Sequence, residues 1–311
     1  MSAQEQEMPG TVALDSPLLR ARGLRKEFAP RGRGADATPV RAVDGVDLDV
    51  HRGEMLGLVG ESGSGKTTLG QNLLRMQEPT AGSIDFAGQD LLALSGRELR
   101  PLRTRMQYIF QDPYSALNPR LTVEQAIGEP LLTHGLAQPD TVRDAAEAAL
   151  VSAGLDGSAL HRYPHEFSGG QRQRIVIARA MALGPEFVVA DEPASALDVS
   201  IQAQVINLFA QLREERDTAF VFISHDLGVV EHLCTSVAIM YRGRIVEQGS
   251  RDAVFGDPLH PYTRELLAAV PVPDPRRRRR GADVVPRDWD VPGERPALVD
   301  TGGGHLVALP R

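Results

Sequence analysis

Two short stretches carry residue types suited to chemistry on phosphate. Gly60-Glu61-Ser62-Gly63-Ser64-Gly65-Lys66-Thr67 has the spacing G-x-x-x-x-G-K-[ST], and Thr68 follows it. Glycines at these positions let backbone N–H groups point into one concavity that binds phosphate oxygens. The positive end of a following helix adds to that field. Lys66 brings a full charge to the β- and γ-phosphates, and the Thr67 hydroxyl can ligate Mg²⁺. The bland alternative is a Gly/Ser-rich turn that happens to precede a lysine. The second stretch, Phe187-Val188-Val189-Ala190-Asp191-Glu192, is an apolar run ending in two carboxylates. An Asp at the C-terminal end of a central strand can hold the Mg²⁺ shell. Strand alternation points Glu192 the other way, where it could polarise a water for attack on the γ-phosphate. Its bland alternative is a strand that exits into a polar turn at Pro193.

The elements needed to hold these groups are legible nearby. Met55–Val59 reads as a buried strand, and a helical pattern starts at Lys66 with Leu69, Leu73, Leu74 and Met76 as its apolar positions. Residues 141–153 read as a helix closed by Gly154, and residues 172–183 as another. Phe187–Ala190 and Ala219–Ser224 read as buried strands, and Arg242-Gly243 as the turn of a hairpin between 237–241 and 244–247. Strands alternating with helices predict an α/β core with parallel strands. Residues 29–39 read as a surface loop, and the Pro-rich 271–296 stretch with Arg276–Arg280 as a linker or extended tail.

Composition narrows the function classes. Lys plus Arg is 34 against 41 Asp plus Glu, a net charge of −7, which disfavours sequence-blind nucleic-acid binding. A single cysteine, Cys234, excludes a disulfide framework within the chain and a four-cysteine iron–sulfur site. No apolar run reaches the ~18–20 residues that span a bilayer, and the polar start MSAQEQEMPG does not read as a secretory signal. Any work at a membrane is therefore expected from the aqueous side. His161 and His165 stand beside Glu166, but Pro164 between them disfavours the single helix that would align a zinc pair.

A third motif is more specific. Ser168-Gly169-Gly170-Gln171, ahead of a predicted helix, resembles the signature of ATP-binding cassette (ABC) proteins. A Ser hydroxyl and glycine amides at a helix N-terminus make an anion site. In that family the site closes over ATP held by a partner's phosphate loop, so the resemblance implies a head-to-tail dimer. The other elements follow residue by residue. Gln111 resembles the Q-loop glutamine that senses Mg²⁺ and the γ-phosphate, and Asp198 in Ser195-Ala196-Leu197-Asp198 resembles the D-loop aspartate. His225 resembles the switch histidine, and Phe28 is the candidate aromatic for stacking on adenine. Ala194 stands where Thr is usual in the family. The segments Gln111–Arg120, Tyr163–Phe167 and His260–Leu267 are similar to ATPases of oligopeptide and dipeptide importers, with nickel importers close by, and to the second (F-type) ATPase of such systems.

The resemblance implies an α/β phosphate-loop NTPase (RecA-like) domain with a helical and an antiparallel β subdomain. It places a disordered N-terminus at 1–17, the ATPase at 18–256 with its helical subdomain at about 112–180, and a C-terminal extension at 257–311. The implied cofactors are ATP and Mg²⁺, and no iron–sulfur cluster is expected because the tail holds no cysteine. The implied partners are a second ATPase subunit (a copy or a paralogue), two membrane permeases and, indirectly, an extracytoplasmic solute-binding protein. The implied location is the cytoplasmic face of the membrane. The rival reading is a non-transport ABC ATPase of the DNA-repair or translation type.

Overall fold

The computed structural model describes residues 16–29, 39–195, 197–215, 217–269 and 296–309. The first strands, β1 (Leu19–Phe28) and β2 (Val40–Val50), pair antiparallel with Leu19 opposite Val50. Then come β3 (Met55–Val59), α1 (Lys66–Leu73), β4 (Ala81–Phe86), β5 (Gln89–Asp90), α2 (Gly96–Arg105) and β6 (Met106–Ile109). Four helices follow in series: α3 (Pro113–Ala116), α4 (Val123–Thr133), α5 (Val142–Ser152) and α6 (Gly169–Ala182). The chain continues through β7 (Phe187–Asp191), α7 (Val199–Glu215), β8 (Ala219–Ser224), α8 (Leu227–Leu233), β9 (Ser236–Tyr241) and β10 (Arg244–Ser250). It ends with α9 (Arg251–Gly256), α10 (Pro261–Ala268), β11 (Val299–Asp300) and β12 (Leu306–Val307).

Apolar alternation explains the layers. Phe187 and Val189 of β7, with Val221 and Ile223 of β8, pack toward a sheet of order β2-β1-β4-β5. Val188 and Ala190, with Phe220 and Phe222, pack instead against α4 to α8. Strands apolar on both faces favour parallel pairing covered on both sides, and β9, β3, β8, β7 and β6 run parallel in that order. The edge beyond β9 is antiparallel: β10, β12 and β11 follow, with Glu247 opposite Val307. The end of the chain thus returns to the sheet that carries the site. Among the described residues, no helix is long and apolar enough to cross a membrane.

Several expected elements are present. Met55–Val59 is buried throughout, and α5 stops before Gly154, whose φ is +72°. The turn joining β9 to β10 is Arg242-Gly243, with φ of 43° and 84°, the left-handed pair of a two-residue hairpin. Three expectations shift. Met76 lies past the end of α1 and is exposed rather than packed. The helix expected from 172 begins at Gly169, because Ser168 caps it. Glu192 lies outside β7 with φ of +44°, so strand alternation does not orient it. The Arg276–Arg280 run, residues 1–15 and most of the 29–39 loop lie outside the described residues.

Candidate functional site

The phosphate-type loop joins β3 to α1, leaving the C-terminal end of a buried parallel strand. Two of its glycines are required by space. A Cβ on Gly60 would stand 2.1 Å from the Met240 carbonyl oxygen, and one on Gly65, at φ +105°, 2.0 Å from that of Ala42. The loop is therefore wedged between β9 and β2, and the Gly243 N–H donates to the Ser64 carbonyl at 2.8 Å. Glu61, Ser62 and Gly63 form its exposed crest, while Ser64 is buried and Thr68 lies in the first turn of α1.

Lys66 is 6% exposed, and its Nζ donates to the carbonyls of Gly60 (2.7 Å) and Glu61 (2.9 Å). Burial pulls this ammonium below the usual lysine range, against the opposing field of Glu192, Asp191 and Glu61. A buried ammonium held in place by two loop carbonyls puts a fixed positive charge where an anion could dock.

Opposite stands Asp191, the last residue of β7. Its carboxylate accepts from Tyr108 Oη at 2.7 Å and from Thr67 Oγ1 at 3.2 Å. Burial raises its pKa above the usual carboxylate value, while the two hydroxyls hold it down. Tyr108 is a site residue that the motifs did not single out; its trace in the sequence is the polar-tipped aromatic in the strand before Gln111. A hydroxyl and a buried carboxylate are hard oxygen donors of the kind Mg²⁺ takes, so these residues fit that ion.

Glu192 collects a second group. Its Oε2 accepts from Gln111 Nε2 at 3.0 Å and lies 3.3 Å from His225 Nδ1. Gln111 Nε2 also reaches Ser195 Oγ at 3.3 Å. Glu192 has a left-handed φ of 44°, and its N–H donates to the Ile223 carbonyl at 3.0 Å, which pins the turn on β8. A cleft of about 90 Å³ beside Glu192, Ser195 and His225 exceeds the space of a water molecule. Gln111 and His225, far apart in sequence, thus meet at one carboxylate, one residue past the end of β7.

The signature residues stand apart from this group. Ser168 is the N-cap of α6: its Oγ accepts from Gln171 N–H at 3.3 Å, and its own N–H donates to Gln171 Oε1 at 3.0 Å. Ser168 and Gln171 are exposed. Gly170 is buried because α7 lies against it, and a Cβ there would meet Ile201 at 1.9 Å. Among the described residues, no hydrogen bond or ion pair joins 168–171 to 60–68. Asp198 is exposed and starts α7 by accepting from Ile201 N–H at 3.0 Å. Phe28 ends β1 opposite Val40, with Lys26 Nζ 5.3 Å from its ring centre. The same strand pair carries Ala42, which abuts Gly65.

A parallel sheet with this loop at its C-terminal edge, an Asp-Glu pair at the end of the second strand over and a capped glycine helix define a phosphate-loop ATPase cassette. Residues 43–195 match the ABC transporter family model, and residues 246–288 match the oligopeptide/dipeptide transporter C-terminal region. The chain belongs to the ABC transporter family of ATP-binding proteins, and it carries that C-terminal region. It is 51% identical over 264 residues to a peptide import ATP-binding protein of Brucella ovis, covering 85% of this chain and 82% of that protein. It is 49% identical to the glutathione import ATP-binding protein GsiA of Salmonella paratyphi A, covering 96% of this chain and half of that longer protein. Among solved structures, the dimeric cassette MJ0796 bound to ADP and Pi superposes with a TM-score of 0.67 at 26% identity. The match covers 75% of this chain and 98% of that one.

Proposed function

We propose that this chain is the ATP-hydrolysing subunit of an importer for oligopeptides, dipeptides or a similar small solute. It would work as a head-to-tail dimer on membrane permeases, from the cytoplasmic face. The observation that carries the ATPase part is the meeting of Gln111, Glu192 and His225 beside a loop built to bind phosphates. The match of residues 246–288 and the peptide-import relatives support the solute class.

In this reading the amides of 60–67 and Lys66 bind the phosphates. Phe28 stacks on adenine, and Thr67, Gln111 and Asp191 would hold Mg²⁺. When bound, Mg²⁺ would neutralise charge between the β- and γ-phosphates. Glu192 takes a proton from the attacking water with Gln111 bonded to its carboxylate, and His225 stabilises the γ-phosphate. Fixed donors near the developing phosphoryl charge supply most of the rate. Ser168, Gly169, Gly170 and Gln171 present the second anion site to a partner's nucleotide, and Asp198 lies on the seam. The exposure of Ser168 and Gln171, and the lack among the described residues of any hydrogen bond from 168–171 to the loop of the same chain, support a divided site. The ATPase would occupy 18–256, with the helices at about 112–180 passing motion to the permeases and 257–311 as the extension.

The rival DNA-repair type needs a long coiled coil between phosphate loop and signature. Here the longest helices between Lys66 and Ser168 have 11 residues. The test is Lys66→Ala: ATP titration by calorimetry is expected to show at least tenfold weaker binding, and parent affinity would refute the phosphate reading of the loop.

A further inference from the structure

The motif His260-Pro261-Tyr262-Thr263 takes no part in the reading above, yet its tyrosine touches the phosphate loop. The Glu61 N–H, second in the loop, donates to the Tyr262 hydroxyl at 2.9 Å across 201 positions of sequence. Tyr262 is 1% exposed, and its ring packs on Tyr241 with centroids 4.5 Å apart. Tyr241 follows Met240, whose carbonyl crowds Gly60.

One buried carboxylate sets this position. Glu247 of β10 is fully buried and accepts from the N–H groups of Leu259 (2.8 Å) and His260 (3.0 Å). It also meets His305 Nε2 at 2.8 Å. His260 then caps α10, its Nδ1 accepting from Tyr262 N–H at 3.1 Å. The chain before α10 and the strand near the C-terminus are thereby gathered at the same point of the sheet.

The peptide that Tyr262 holds is the one between Gly60 and Glu61. Its C=O accepts from Lys66 Nζ on one side, and its N–H donates to Tyr262 on the other. A trans peptide is planar, so gripping both ends stops the plane from turning. When Lys66 turns to phosphate, Tyr262 keeps the remaining grip.

We propose that Tyr262 is a positioning residue for the nucleotide site. Its hydroxyl holds the Gly60–Glu61 peptide in the orientation that leaves the later amides open to phosphate, so the C-terminal segment sets nucleotide affinity. The inference rests on the reading of 60–67 as the ATP phosphate site. Tyr262→Phe in the full chain removes the hydroxyl and keeps the ring on Tyr241. Losing one hydrogen bond is expected to weaken ATP binding about three- to tenfold. KM for ATP should rise by the same factor while kcat stays within about twofold, the mark of lost uniform binding. Amide hydrogen exchange at Glu61 in the nucleotide-free protein should become faster. Unchanged ATP affinity overturns the proposal. So does a lower melting temperature with unchanged affinity, which would make the hydroxyl a packing group only. Lys66→Ala, run alongside, separates the two levels. If it loses ATP while Tyr262→Phe keeps full affinity, only the tyrosine proposal falls. If both bind ATP like the parent, the phosphate reading falls with it.

Discussion

Acidification should loosen the junction between the C-terminal segment and the sheet through His260. This imidazole is 3% exposed, and burial pulls its pKa from 6.5 down to about 4, with the charge of Glu247 opposing. Its Nδ1 must stay unprotonated to accept from Tyr262 N–H. Protonation there would remove the helix cap on α10. The folded state binds fewer protons than the unfolded one between these two pKa values. Stability from this group is therefore flat above about pH 6.5 and falls as pH drops toward 4. At pH 5 the loss is about 2 kcal/mol, and over the whole window about 3 kcal/mol. The assay is urea unfolding of the full chain at several pH values, for the parent and for His260→Asn, which can cap but does not titrate. The stability gap between the two should shift by about 2 kcal/mol in favour of the variant from pH 7 to pH 5. Parallel pH curves would refute the reasoning, because the slope would then belong to other groups.

Three more perturbations bear on the active site. Glu192→Gln keeps an acceptor for Gln111, so ATP affinity should hold while turnover falls about 10²–10⁴-fold; hydrolysis at the parent rate removes the assigned role. Gly65→Ala adds a Cβ 2.0 Å from the Ala42 oxygen at a left-handed φ, a strain of about 1–3 kcal/mol or more, and calorimetry should show ATP binding weakened at least tenfold. Ser168→Arg alters an exposed cap far from the loop of its own chain, so monomer ATP affinity should stay within about twofold. Steady-state turnover should fall roughly 100-fold as the second anion site is lost, and an equal loss of monomer affinity would show that the site is not divided between chains.

Much of the site was legible because its residues answer to local rules. Glycine at 60 and 65 is dictated by the close approach of Met240 and Ala42, and the apolar run at 187–190 by burial on both faces. Ser168 and Gln171 follow capping chemistry that needs only four neighbouring residues. Strand alternation does not orient Glu192: the strand ends at Asp191, and a left-handed turn aims the carboxylate. Tyr108 escaped notice because its partner, Asp191, is 83 positions away. The grip of Tyr262 on Glu61 escaped for the same reason, since no local pattern marks a hydrogen bond that spans most of the domain.

The residue types and their short-range spacing determined a glycine-rich loop between strand and helix of the kind suited to phosphate, because backbone conformation and capping are settled within a few residues. Packing alone decided which distant groups share one carboxylate. It brought Gln111 and His225 to Glu192, Tyr108 to Asp191 and the C-terminal helix to the phosphate loop. Those contacts depend on strand order and on which faces of the sheet are buried, and both are properties of the whole fold.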